Sequence, residues 1–123
     1  KQDIQIREVT IGLKDLPDAF DGYRILQLSD IHSGSWTRNG KAIQKAVDMV
    51  KAEEADLVGF TGDIVNNIAT EPEEFIPLLS QIKGKAGVYS VLGNHDYSPY
   101  IKWKTEAEQQ ANLDSLLAKE ARM

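Results

Sequence analysis

From Asp3 to Leu13 the apolar positions Ile4 and Ile6, then Val9, Ile11 and Leu13, recur at period two with a phase change near Arg7 and Glu8. That alternation predicts a half-buried strand with a bulge. The stretch from Lys14 to Gly22 collects Pro17, Asp18, Asp21 and Gly22, which fix φ, bond locally or tolerate positive φ, so a loop is expected there. Three short apolar runs follow, at Tyr23–Ser29, Ala55–Thr61 and Ala86–Leu92, and read as strands from the middle of a sheet. Between the first two, Ala42, Ile43, Ala46, Val47, Met49 and Val50 share a helical face, predicting a helix from about Gly40 to Glu53 with Asn39 at its cap.

Between the second and third runs, Thr70 and Glu73 have capping-box spacing ahead of Phe75, Ile76, Leu78, Leu79 and Ile82. A second helix is expected there, with Pro72 in its first turn and its end near Gly84. Trp103 to Arg122 lacks Gly and Pro and is rich in Ala, Glu, Gln, Lys and Leu, so a third helix is expected. Its apolar stripe of Ala107, Ala111, Leu113, Leu116 and Leu117 is thin. The resulting β-α-β-α-β-α order after the opening strand implies an α/β fold with a parallel sheet and right-handed crossovers.

Composition narrows the function classes. The 123 residues, 41% hydrophobic, suit one domain over residues 1–123. A net charge of −5 and the lack of any long Lys/Arg run disfavour nucleic acid as a partner. With no cysteine, disulfides and thiolate metal sites are excluded, and the compartment stays open. Charges interrupt every apolar run before the roughly 18 residues a membrane span needs, so the chain as given reads as soluble. It opens on Lys1 without a leader pattern, which is expected of an artificial boundary or of upstream processing.

The chemistry gathers where the three apolar runs end. Ser29-Asp30-Ile31-His32, Thr61-Gly62-Asp63-Ile64-Val65-Asn66 and Gly93-Asn94-His95-Asp96 all fall at one edge of a parallel sheet, the edge at which open α/β sheets bind ligands. Carboxylate, imidazole and amide oxygen make a donor set suited to Mn, Fe or Zn. Asp30 and His32, two apart, can grip one cation, and Asp63 has two oxygens with which to reach a second. Gly62 and Gly93 let the backbone turn sharply beside these residues. Two such cations can bind a phosphate ester and lower the pKa of water.

Taken singly these residues have plainer explanations. A histidine beside a strand is more often packing or surface, and an aspartate after glycine is usually a turn former. The chain, however, has only two histidines, and each lies in a strand-end cluster with aspartate. Asn66 and Asn67 read as turn residues, and Trp36, Tyr97 and Tyr100, near the same edge, receive no role.

At these positions the sequence resembles the calcineurin-like metallophosphoesterases, whose motifs run Asp-x-His, Gly-Asp-x-x-Asp and Gly-Asn-His-Asp/Glu. The matching segments are Asp30–His32, Gly62–Asn66 and Gly93–Asp96, separated by 29 residues (33–61) and 26 residues (67–92). DGYRILQLSDIH is similar to the bacterial, often membrane-associated branch. The resemblance implies two divalent ions, with Asp30 and His32 on the first, Asp63 bridging and Asn94 on the second. His95 would stabilise or protonate the leaving oxygen while Asp96 holds its ring.

One departure is Asn66, where the family usually has aspartate. The larger one is that no histidine follows His95, although the family completes its site with later histidines. The family fold is a four-layer α/β/β/α sandwich longer than this chain, so the chain is expected to be its N-terminal part, with weakened metal affinity and turnover. An exposed sheet face would invite self-association, and the branch implies membrane association of the parent. The expected function is hydrolysis of small phosphoesters. The alternative is a non-catalytic scaffold or binding module, against which the intact His95-Asp96 pair argues. A nucleotide-binding domain ranks last, because both Gly-x-Gly-x-x-Gly and the Gly-Lys-Ser/Thr phosphate loop are lacking.

Overall fold

A computed structural model describes residues 4–36 and 39–123. Three short strands, β1 (Ile25–Leu28), β2 (Leu57–Phe60) and β3 (Val88–Ser90), form a parallel sheet in the order β1-β2-β3. Ile25 lies opposite Leu57, and Phe60 opposite Ser90. Three helices, α1 (Gly40–Ala52), α2 (Ile76–Leu79) and α3 (Glu106–Glu120), each follow a strand, as the expected alternation requires.

The core lies on one face of the sheet. Ile43, Val47 and Val50, spaced i, i+4 and i+7, form the buried stripe of α1, and they cluster with Val58 and Phe60 of β2 and with Phe75, Leu79 and Ile82 from the α2 region. On the other face Ile25, Tyr89 and Val91 are exposed. Only β2 therefore has the buried alternation of a central strand, whereas β1 and β3 are half bare.

Four local expectations are corrected. Residues 4–13 form no strand: Val9, Ile11 and Leu13 are exposed, since the alternation finds no neighbouring strand to satisfy its backbone and no surface to cover its apolar side. Asp3, where that strand was expected to begin, lies outside the described residues. Asn39 occupies the N-cap position of α1, but its side chain makes no capping bond.

The expected second helix is a 3-10 turn at Glu73–Phe75 followed by the single turn of α2. A continuous α-helix from Glu73 would need the Pro77 nitrogen to donate to the Glu73 carbonyl, and proline has no N–H. The Thr70/Glu73 capping box is not formed; the Glu73 carboxylate instead meets Lys119 of α3 at 3.1 Å. A capping interaction does open α3, where the Thr105 hydroxyl accepts from the Glu108 N–H at 3.2 Å. Of the expected stripe, Leu116 is buried and Leu113 half-buried, whereas Ala107, Ala111 and Leu117 are exposed.

α3 is held mainly by polar contacts, and one of them is costly. Glu120 accepts from the Ser90 hydroxyl at 2.7 Å through Oε2, but its Oε1 is buried with no hydrogen-bond partner. Burial raises its pKa above the ordinary glutamate value, opposed by the Ser90 bond, with Asp96 adding repulsion. A raised folded-state pKa favours folding below the unfolded value, and that contribution is lost as pH rises through the folded one. Glu120→Gln is therefore expected to melt at a higher temperature than wild type at pH 7, with the difference shrinking toward pH 4; melting curves across that range check it.

Candidate metal centre

Parallel pairing carries all three strands out at one edge, and the loops that leave them stay paired. Asp30 N–H donates to the Gly62 carbonyl at 3.1 Å, His32 N–H to Asp63 at 2.9 Å and Ser33 N–H to Ile64 at 2.8 Å. The first two loops thus run side by side beyond the sheet. Asp30, His32 and Asp63 all take left-handed φ values, of 55°, 46° and 55°. Such conformations cost energy in non-glycine residues and gather where a site needs side chains aimed a particular way.

The third loop is packed backbone to backbone against the second. A Cβ on Gly62, whose φ is 97°, would stand 2.2 Å from the Gly93 nitrogen, and one on Gly93 would stand 2.3 Å from Asp63 Oδ1. Bare glycine is required at both crossings. The wholly buried Asp96 carboxylate then ties them together. Its Oδ2 accepts from Asp63 N–H (2.7 Å) and Gly93 N–H (2.8 Å), and its Oδ1 from Ile64 N–H (2.9 Å) and Val65 N–H (3.3 Å).

The two histidines face each other, ring centroids 4.7 Å apart and nearly perpendicular. His32 Nδ1 lies 3.2 Å from the Val65 carbonyl, and His95 Nδ1 lies 2.7 Å from the Asn66 carbonyl. A carbonyl only accepts, so each Nδ1 carries a hydrogen, and in the neutral tautomer this selects, the lone pair is on Nε2. His32 Nε2 is 3.6 Å from Asp30 Oδ1 and 4.0 Å from Asp63 Oδ2. The other Asp63 oxygen accepts from His95 N–H at 2.8 Å. Donor atoms of His32, Asp63 and His95 lie within 4.8 Å of one another.

These residues fit a cation. The set combines imidazole nitrogen with carboxylate oxygen, and each imidazole is backed by a carbonyl, as metal-binding histidines are. Asp30, Ile31, His32, Ser35, Trp36, Asn66 and His95 line an open cleft of about 340 Å³. A larger depression of about 510 Å³ follows the outer face of α1, but its lining comes from that one helix and it is a shallow surface.

The sequence-predicted residues are brought together unequally. Asp30, His32, Asp63 and His95 converge. Asn94 sits at the exposed rim, where its Nδ2 donates to the Tyr100 hydroxyl at 2.9 Å. The expectation that Asp96 holds the His95 ring is corrected: the Asn66 carbonyl holds Nδ1, while the Asp96 oxygens are committed to four backbone N–H groups.

Asn66 shapes a turn, as expected, and also orients His95. That turn depends on Glu71, whose carboxylate accepts from the N–H groups of Asn66, Asn67 and Ile68. A second unanticipated residue is Asn112 of α3. It accepts from Ala69 N–H at 2.9 Å and donates to the Ser98 hydroxyl at 2.9 Å, linking the second loop to the third. The Asn66-Asn67 pair five residues before an acid hinted at Glu71; nothing local pointed to Asn112.

Comparison with known proteins is consistent with this geometry. The calcineurin-like phosphoesterase family matches residues 23–120. A zebrafish (Danio rerio) protein described as a transmembrane protein with metallophosphoesterase domain is 33% identical over 93 residues, covering 76% of this chain and 21% of its own length. An uncharacterized metallophosphoesterase of Bacillus subtilis is 32% identical over 99 residues, 79% of this chain and 34% of that protein. The UDP-2,3-diacylglucosamine pyrophosphatase LpxG of Chlamydia trachomatis is 33% identical over 91 residues, 71% of this chain and 27% of that enzyme. The chain thus spans between about a fifth and a third of the length of these relatives. No solved structure matches significantly.

Proposed function

The chain belongs to the calcineurin-like phosphoesterase family, and from that premise we propose that it carries the N-terminal part of a phosphoester hydrolase centre that holds two divalent ions, Mn, Fe or Zn. The observation that carries this reading is the convergence of His32, Asp63 and His95 donor atoms within 4.8 Å, with both Nδ1 hydrogens committed to carbonyls. Asp30 and His32 would hold one ion, Asp63 would bridge to the second, and the Asn94 amide oxygen would hold that second ion. Bound there, divalent ions supply Lewis-acid charge to a phosphoryl group and lower the pKa of water.

The chain's own residues do the rest. His95, its Nδ1 fixed on Asn66, lines the cleft as the group that, once a second proton is taken up on Nε2, passes that proton to the leaving oxygen. Asp96 acts through the backbone, keeping Asp63 and Gly93 in register. The substrate class is a small phosphoester. The name of the Chlamydia relative extends it to phosphoanhydrides, and that of the zebrafish relative supports membrane association of the parent. Among the described residues no helix is long and apolar enough to cross a membrane. The bare sheet face at Ile25, Tyr89 and Val91 supports association with a second copy.

Hydrolysis of a chromogenic phosphodiester by the purified chain, with and without added Mn²⁺, tests the reading. Turnover is expected to require Mn²⁺ and to fall at least about 100-fold in Asp63→Asn, the scale on which loss of an electrostatic transition-state contact is felt. Metal-independent turnover, or a variant as active as wild type, contradicts it. Absence of Mn²⁺-dependent turnover in both the chain and its full-length parent favours the scaffold alternative.

A further inference from the structure

Tyr100 is an exposed aromatic residue with 62% of its surface open, so burial alone gives it little reason to hold one position. Its polar and ring contacts are nevertheless with the two residues that the hydrolase reading places at the second ion and at the leaving group. Its hydroxyl receives the Asn94 Nδ2 hydrogen bond at 2.9 Å, and its ring lies 4.7 Å from that of His95, tilted by 42°. We propose that Tyr100 is a positioning residue of the centre, its hydroxyl fixing the Asn94 amide and its ring bracing His95.

The chemistry of an amide makes the first contact consequential. Asparagine offers a cation only its carbonyl oxygen, since the NH₂ group has no lone pair to give. Asn94 is exposed and follows Gly93, so an unheld side chain would sample several rotamers and both amide orientations. By taking the nitrogen, the Tyr100 hydroxyl leaves Oδ1 as the free end. The hydroxyl can also donate, so it is the bond as it stands, accepting from Nδ2, that leaves Oδ1 for a cation.

The loop is built to bring Tyr100 back over His95. Ser98 is buried at φ 54° and its N–H donates to the His95 carbonyl at 2.9 Å. Its hydroxyl accepts from Asn112 at 2.9 Å, and its carbonyl accepts from the Trp103 indole at 2.9 Å. Thus the residue two before Tyr100 is secured on three sides. The reversal of the chain at Ser98 and Pro99 then returns the ring to the His95 side of the loop.

This inference rests on the hydrolase reading for what Asn94 and His95 do, but its test separates the two. Metal-free ¹H–¹⁵N spectra of the whole chain would be recorded for wild type, Tyr100→Phe and Tyr100→Leu, followed by titration with Mn²⁺ alone. In Tyr100→Phe the Asn94 side-chain amide signals are expected to move to the values of a free asparagine, while the His95 ring signals stay in place. Tyr100→Leu is expected to move both sets.

Melting of Tyr100→Phe is expected to match wild type, so unfolding would not account for the shift. The apparent Mn²⁺ affinity is expected to weaken about fivefold, the worth of one hydrogen bond. Unchanged Asn94 amide signals in metal-free Tyr100→Phe overturn the proposal. Wild type that binds no Mn²⁺ overturns the two-ion reading instead, and the metal-free spectra still decide the contacts of Tyr100.

Discussion

Asp96→Asn is expected to lose about 3–5 kcal/mol of folding stability, although the side chain keeps its shape. Each carboxylate oxygen accepts two backbone N–H groups, Oδ2 from Asp63 and Gly93 and Oδ1 from Ile64 and Val65. An asparagine must turn its NH₂ toward one of these pairs whichever way it flips. Two donors would then face a donor in a site with no solvent exposure. Denaturant unfolding of the purified variant measures the loss. Metal binding should fall with it, because the Asp63 backbone is one of the anchored groups. A variant as stable as wild type that has lost only turnover would return Asp96 to the role of orienting His95.

A single methyl group at Gly93 is expected to act almost as strongly. Gly93→Ala would place its Cβ 2.3 Å from Asp63 Oδ1 and 2.6 Å from the Asp63 nitrogen. No rotamer change relieves both contacts, since one of them is backbone, and the second and third loops must part. Overpacking of this kind costs about 1–3 kcal/mol. Here the displaced atom is itself a proposed ligand, so apparent Mn²⁺ affinity should drop at least about tenfold, equivalent to roughly 1.4 kcal/mol. Gly40→Ala, where a Cβ meets nothing within 4 Å, serves as the control and should be neutral or mildly stabilising. Equal behaviour of the two variants would mean that the close crossing at Gly93 is not needed.

The two predictions also indicate what could be read from the chain in advance. The three apolar runs gave the strands, and i, i+4, i+7 spacing gave α1, because both are local periodicities enforced by burial. Asp30, His32, Asp63 and His95 were legible for a related reason. Each follows a strand directly, and parallel pairing brings strand ends together whatever the intervening loops do. The opening alternation from Ile4 to Leu13 misled because period two states only that a segment can pair, not that a partner strand lies beside it. Capping-box spacing at Thr70 and Glu73 marks only where a helix can start, and Pro77 sets where it cannot continue.

The role of Asp96 was not legible at all, whereas that of Glu71 had a local hint in the Asn-Asn pair just before it. A carboxylate such as Asp96, which gathers backbone N–H groups from a segment about 30 residues away, leaves no spacing to recognise. The same holds for Asn112, which joins two loops from a helix chosen on propensity alone. Residues that present donor atoms could be found from their types and positions. The residues that hold the presenting loops could not, since most of their partners are main-chain groups with no residue identity.

Paramagnetic broadening by Mn²⁺ in the ¹H–¹⁵N spectrum of the purified chain tests the central assignment most directly, and works even where affinity is weak. Saturable broadening centred on residues 30–32, 62–66 and 93–96 is expected in wild type, and its loss in Asp63→Asn, with Asp48→Asn on the outer face of α1 unchanged. Broadening centred elsewhere, or persisting undiminished at those residues in Asp63→Asn, would contradict a metal centre built on Asp30, His32, Asp63 and Asn94.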